Sequence, residues 1–380
     1  MFAKFTLKEF YRMLEQAGIS INSSDPDSFL VDSSRLPQVA REIILHGTLG
    51  AGRTWMQGLW DCRALDQMVC KLAKTGAYKR LLFNPEVAKI KARQYLPFWV
   101  TQSQNIANHY NTGVDFFREM LGPLMMVYSC GYWVSGGSLY HAQQAKLELI
   151  SKKLSAGGLV PSQRVLDIGC GFGTLCGHLA SVHQVNCKGI SVSTDQVEYA
   201  KDRYFMEGKV RIIKGDYLDL VGWYHHIVSV GMFEHVGPRN YRRFFCKVRD
   251  LLWEDGIFLL HTIGAKTQSF LSDPFTQEYI FPEGYIPSRR RIEKASRGIL
   301  EIRDWHAFGS EHYDRTLLAW YDNLLSGWFM LNPKKYSDDD RRMWEFYLLM
   351  YAGIFRAGIL DVWQIVFAHP GKCLNFPVTR

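Results

Sequence analysis

The sequence predicts an α/β protein: a doubly wound, Rossmann-like sheet preceded by a smaller, mainly helical N-terminal domain. Three observations carry this. From Ala145 onward, strand and helix patterns alternate in the manner of βαβ units. An apolar run, Val165-Leu166-Asp167-Ile168, ends in Gly169-Cys170-Gly171-Phe172-Gly173, the composition of a strand-to-helix turn. The N-terminal part carries helical periodicity instead, with Phe10, Leu14 and Ala17 on one face before Gly18, and Val39, Ile43 and Ile44 before Gly47. With 380 residues, 47% of them hydrophobic, the chain can bury a large core and has the length of roughly two domains. The division expected is an accessory domain over 1–95 and a main domain over 96–380.

In order along the main domain, Leu147, Ile150 and Leu154 mark a helix that leads into a strand at 164–168. The glycine turn follows, then a helix near 174–183, a strand at 187–192, a helix at 195–206 and a short strand at 210–213. Next come a strand at 226–230, a helix at 240–252 and a strand at 256–262. After Ile263 the alternation stops, and the stretch 264–310 reads as an insertion placed to cover a substrate. Helices near 312–328 and 338–356 and a terminal strand at 362–367 complete the chain. No internal repeat or low-complexity tract interrupts it.

Composition narrows the function. Charged residues Lys4, Lys8, Glu9, Arg12 and Glu15 break up the N-terminus, which is not the apolar core of a signal peptide. The uncharged apolar stretch 346–355 is far short of the ~20 residues that cross a bilayer. Eight cysteines without a Cys-x-x-Cys pair, and no His-Glu-x-x-His helix, point to a reduced cytoplasm and no metal site. A net charge of +8 favours an anionic partner, nucleic acid or an anionic membrane. The most basic run, Lys71, Lys74, Lys79, Arg80, Lys89, Lys91 and Arg93 against Glu86 alone, reads as a solvated helix face or an anionic contact.

The glycine turn lets backbone approach a ligand closely at Gly169 and Gly171, with Asp167 orienting the turn. Such a turn also suits dinucleotides, but those want an acidic residue at the end of the next strand. Here that strand runs into Gly189-Ile190-Ser191-Val192-Ser193-Thr194-Asp195-Gln196, and the third ends in Gly215-Asp216-Tyr217. Asp216 can accept from an adenine amino group and Tyr217 can stack on the ring, so the ligand expected is the methyl donor S-adenosylmethionine.

Three further segments carry a resemblance: Tyr128-Ser129-Cys130-Gly131-Tyr132-Trp133, Val230-Gly231-Met232-Phe233-Glu234-His235-Val236-Gly237 and Leu260-His261-Thr262-Ile263-Gly264. With them the sequence resembles the cyclopropane-fatty-acyl-phospholipid synthases over nearly its whole length. The match includes Gly47-Thr48-Leu49-Gly50 through Trp60, a portion that shorter mycolic acid cyclopropane synthases lack. The resemblance implies a seven-stranded sheet of the S-adenosylmethionine-dependent methyltransferase type. It also implies transfer of a methylene to the cis double bond of a phospholipid acyl chain, giving a cyclopropane ring, S-adenosylhomocysteine and a proton. Donor binding falls by resemblance to Tyr128, Ser129, Asp167, Gly169, Cys170, Gly171, Ser191, Gln196, Asp216 and Tyr217. A bicarbonate that deprotonates the carbocation falls to Cys130, Glu234, His261, Ile263 and Tyr313, with Tyr313 preferred to Tyr321. The expected partners are a membrane phospholipid and an anionic membrane met peripherally from the cytoplasmic side, without nucleic acid; a homodimer is allowed.

Two positions depart from the family pattern. His109-Tyr110-Asn111 stands where relatives often have His-Tyr-Asp, and Tyr351 stands where many have a cysteine, which removes a thiol mechanism there.

The chemistry accounts for the residue types. An alkene is a weak nucleophile and must be held in line with the sulfonium methyl in a dry slot. Aromatic faces such as Tyr132, Trp133, Phe233, Tyr313 and Trp320 can stabilise the cation, or simply pack the core. Taken singly, Cys130 reads as a small buried residue and His261 as a satisfied core histidine. Glu234 is harder to dismiss, because a carboxylate behind an apolar strand needs a partner once buried. The rival readings are a C-methyltransferase giving a methyl-branched or methylene chain, an RNA methyltransferase, and a lipid-binding protein without catalysis. No RNA-binding module is recognisable, and the retained Glu234, His261 and Cys130 argue against the last.

Overall fold

The computed structural model describes residues 2–77, 112–134, 136–204, 208–267, 270–271 and 273–372. Residues 79–93 of the basic run and His109-Tyr110-Asn111 fall outside them. The chain divides into two compact units: Met1–Ser103, Leu271–Gly284 and Leu317–Leu360 form one, and Gln104–Phe270, Tyr285–Thr316 and Asp361–Arg380 the other.

The first unit is mainly helical. Its N-terminal helix, Phe2–Ala17, buries Phe10, Met13, Leu14 and Ala17, and Gly18 ends it at φ +65°. Helix Leu36–His46 starts with a proline in its first turn and ends at Gly47, again with positive φ. Helices Thr48–Met56, Leu65–Thr75 and Asp338–Arg356 complete the packing. A Cβ on Gly353 would lie 2.4 Å from the Asp66 carbonyl oxygen, so a glycine is what lets those two helices touch. Phe29 stacks on Trp60 at 4.5 Å, with Trp55 edge-on to Trp60 at 5.1 Å.

The second unit carries a seven-stranded sheet. Its strands are β1 (Arg164–Ile168), β2 (Asn186–Ser191), β3 (Val210–Lys214), β4 (His226–Val230), β5 (Ile257–Ala265), β6 (Glu301–Ala307) and β7 (Leu360–Ala368). The order is β6-β7-β5-β4-β1-β2-β3. β1 to β5 pair in parallel, while β6 and β7 are antiparallel with a bulge between Ile302 and Asp304. Strands β5 and β7 read as near-continuous apolar runs because both faces are covered. Strand order reverses at β1, so the loops after β1 and β4 open onto one crevice at their carboxyl ends, where ligands of such sheets bind.

The expected α/β sheet is present, and most of its elements stand within a residue or two of the expected places. The stretch after Ile263 differs. β5 runs on to Ala265, and Glu301–Ala307 is a strand of the main sheet where the pattern gave none. The cause is local: β6 lies at the sheet edge, and Glu301, Arg303, Asp304 and His306 interrupt its alternation. Asp304 faces the buried Lys153 ammonium at 3.5 Å, so a charged residue there points inward.

Candidate active site

The glycine turn after β1 holds three residues with positive φ, and they differ in why. A Cβ on Gly169 would meet Met232 at 2.7 Å, and one on Gly173 would meet Ala200 at 2.9 Å; both glycines serve packing. A Cβ on Gly171 would meet nothing within 4 Å, so there the bare backbone faces open space. The turn is pinned to β2 by the N–H groups of Gly169 and Cys170, both donating to the Ile190 carbonyl. Cys170 packs under it, where a Cβ on Gly189 would collide with the Cys170 side chain. Asp167 is buried. Its Oδ2 accepts weakly from the Cys176 thiol at 3.7 Å, its Oδ1 has no hydrogen-bond partner, and burial pushes its carboxyl up to about 7.

After β2, Ser191 donates to Gln196 Oε1 at 2.9 Å and accepts from the Ser193 N–H, while its carbonyl accepts from Gly215. These bonds fix the ends of β2 and β3 against each other. Asp216 caps the short turn Tyr217–Asp219 through the Leu218 N–H at 2.9 Å. Tyr217 lies edge-on to Phe244 at 5.5 Å, and burial pushes its phenol up to about 12. Tyr128 contacts Phe117, which in turn packs on Phe172 of the glycine turn.

Glu234 sits on the short turn Phe233–His235 that follows β4, and is buried. Its Oε1 accepts from the Ile263 N–H at 2.6 Å, whereas Oε2 has no hydrogen-bond partner. Burial pushes its carboxyl up, opposed by the Ile263 N–H. His261 lies opposite Val230 in the β4–β5 register and accepts from the Gly231 N–H on its carbonyl. Ile263 is two residues on, hence on the same face of β5. The His261 ring is buried, lies 3.4 Å from Gln364 Nε2 through Nδ1, and is edge-on to Phe308. Burial first, then Lys146, Lys153 and His306, hold it well below its ordinary pKa, so it is neutral.

Cys130 is buried, and burial pushes its thiol far up, so it is a thiol and not a thiolate. The segment after it is held by helix Ser310–Gly327. Thr316 Oγ1 accepts from the Gly131 N–H and from the Trp133 indole, and His312 Nδ1 accepts from the Trp133 N–H. Tyr313 stands between those two gripping residues and is buried. Tyr321 has Glu345 and Asp322 as charged neighbours instead. The structure therefore joins Glu234 to Ile263 directly, and joins the Cys130 and Tyr313 segments through Thr316 and His312. Of the aromatic candidates, Phe233 stacks on Tyr241 at 4.1 Å within the core, and Trp133 already carries the Arg315 guanidinium over its ring.

Two residues escaped the sequence reading. Gln143 and Lys146, on helix Leu139–Ala156, are both buried behind Ser129. Their signal was faint: polar side chains at i and i+3 beside Leu147 and Ile150, on the face that the apolar residues assign to the core.

The sequence matches the mycolic acid cyclopropane synthetase family over residues 99–365. It is 40% identical to the cyclopropane-fatty-acyl-phospholipid synthase of Escherichia coli, over 94% of this chain and 91% of that one. It is 28% identical to a tuberculostearic acid methyltransferase of Mycobacterium tuberculosis, over 95% of this chain and 88% of that one. Among solved structures, a mycolic acid cyclopropane synthase complexed with SAH and CTAB superposes with a TM-score of 0.63 at 28% identity, covering 69% of this chain and 96% of that one. A family match over residues 99–365, together with 40% identity over nearly the full length of the E. coli enzyme and a methyltransferase-type sheet, means that this chain belongs to the mycolic acid cyclopropane synthetase family.

Proposed function

We propose that the chain transfers a methylene group from S-adenosylmethionine to the cis double bond of an unsaturated phospholipid acyl chain. The products are a cyclopropane acyl chain, S-adenosylhomocysteine and one proton. The observation that carries this reading is Glu234, a buried carboxylate beside the donor crevice with one oxygen on the Ile263 N–H and the other unpartnered. The choice of a phospholipid chain rests on the near full-length similarity to the E. coli enzyme.

In this reading the donor lies along the crevice, its adenosine toward Asp216 and Tyr217 and its sulfur end over Gly171. Ser191 and Gln196, bonded to each other, hold the wall between them. Methyl transfer to the alkene leaves a carbocation on the acyl chain, and one proton must then leave the new methyl group for the ring to close. Cys130 is held as a thiol, a much weaker nucleophile than the thiolate that would trap the cation.

A small anion fits the residues present, because Glu234 Oε2 is buried without a hydrogen-bond partner and burial shifts its carboxyl toward the acid form, which can donate to an anion. Bicarbonate held by Cys130, Glu234, His261 and Tyr313 would supply a base. Ile263 gives its N–H to Glu234, so the backbone there orients the carboxylate. Residues 1–95 serve as an accessory domain, and the part of 264–310 between β5 and β6 as a cover. The enzyme meets its substrate peripherally, a reading supported by its net charge of +8, which favours an anionic surface; no helix among the described residues is long and apolar enough to cross a membrane.

The second reading, a methyl-branched or methylene product, is favoured by the similarity to the tuberculostearic acid methyltransferase. Incubation with S-adenosylmethionine and vesicles of monounsaturated phospholipid separates the two. The expected acyl chains gain one CH2 and lose the double bond without acquiring a methyl branch; a branched or exomethylene chain would overturn the ring assignment.

A further inference from the structure

Helix Leu139–Ala156 buries a lysine whose hydrogen-bond partners are a serine hydroxyl and a carboxamide. Lys146 is 1% exposed, and Nζ donates to Ser129 Oγ at 2.8 Å and to Gln143 Oε1 at 2.7 Å. Gln143, one helical turn earlier, donates through Nε2 to the Ser129 carbonyl at 2.9 Å, so the two side chains clamp Ser129 at both ends. Ser129 in turn lies across the carboxyl end of β4, its Cβ 3.5 Å from where a Cβ on Gly231 would stand. Asp167, at the start of the glycine turn, acts on Lys146 only through space.

Burying an ammonium without a carboxylate at ion-pair distance is costly, and burial pushes Lys146 down to about 7. Such a group gains most where an anion arrives to offset it. Because the Ser129 hydroxyl accepts from Nζ, its own proton is not given to the lysine and is left to donate toward a ligand in the crevice. S-adenosylmethionine has one anionic group, the carboxylate of its amino-acid end.

We infer that Lys146 is a positioning residue for the methyl donor: with Gln143 it fixes Ser129 as a hydrogen-bond donor to the donor's carboxylate and lends that contact a buried positive charge. The inference rests on the reading of the crevice as a methyl-donor site. It places the amino-acid end of the donor at the β1–β4 switch point, on the side of Ser129, and the adenosine toward β2 and β3.

Calorimetry with two ligands tests it: S-adenosylhomocysteine, and 5′-methylthioadenosine, which keeps adenosine and sulfur but lacks the amino-acid end. In Lys146→Met, S-adenosylhomocysteine affinity is expected to fall about 10- to 100-fold, the range of a hydrogen-bonded charge lost, with 5′-methylthioadenosine unchanged. Lys146→Gln, which keeps hydrogen bonding but no charge, should lose the same preference in smaller measure. A parallel fall for both ligands, an unchanged preference in both variants, or failure of both to fold would overturn the inference and leave Lys146 a structural role. A wild-type chain that binds neither ligand would instead remove the methyl-donor reading itself.

Discussion

At the scale of single residues, Glu234 carries the sharpest expectation. Its carboxyl has two separable parts to play: Oε1 holds the Ile263 N–H, and on the proposed function the group, whose pKa burial raises, orients the base or receives the proton onward. Glu234→Gln keeps an oxygen for the Ile263 N–H and loses the ionisable group. S-adenosylhomocysteine affinity by calorimetry should stay within about threefold, while the single-turnover rate falls about 100-fold or more, as for lost acid–base groups. A Gln variant as fast as wild type would reduce Glu234 to a backbone anchor. This residue was legible beforehand because a carboxylate behind an apolar strand demands a partner. Lys146 was only faintly so, since a lysine in a helix with Glu148 and Lys152 looks like a solvated charge until the fold buries it, even on the face of Leu147 and Ile150.

At the scale of elements, β4, which leads into the turn of Glu234, and β5, which carries His261, are tied at their other ends by a buried histidine. His226 opens β4 and accepts the Ile257 N–H of β5 at 3.3 Å through Nδ1. Burial, with the nearby His225, pushes His226 from 6.5 down to about 4, and burial does the same to His235. Between those values the unfolded chain binds the proton that the folded chain refuses, so stability is complete above about 6.5 and is lost as pH falls toward 4. The contribution of His226 over that window is on the order of 3 kcal/mol at 1.4 kcal/mol per pH unit. Melting curves should show Tm falling from pH 6.5 to 4, with His226→Asn flattening part of the slope; an unchanged slope in that variant would acquit His226. The edge strand β6 illustrates the opposite limit of legibility. Nothing in the sequence marks Asp304 as inward, because only the position of Lys153 on another element makes an inward carboxylate tolerable.

At the scale of the whole molecule, 45 basic against 37 acidic side chains set a field that favours anionic surfaces. On the proposed function the substrate chain lies in a bilayer that the protein must reach, and each lysine or arginine near such a surface contributes about 1 kcal/mol, screened by salt. Co-sedimentation with vesicles is expected to be stronger for anionic than for neutral lipid at low salt and to weaken as salt is raised. Equal binding to both at low salt would take electrostatics out of the account. The sequence by itself determined the α/β class, the order of five parallel strands and their helices, and the glycine turn, because these depend on local periodicity and on residues that neighbour each other in the chain. Only the tertiary structure decided that an interrupted, charged segment forms a seventh strand, that the Ile263 N–H is given to Glu234, and that Thr316 and His312 hold the segment after Cys130. It alone decided that Lys146 lies behind Ser129. Each of these pairs residues distant in sequence, and their worth comes from burial, a property that the packing of the whole chain confers on a side chain and that its neighbours in sequence do not encode.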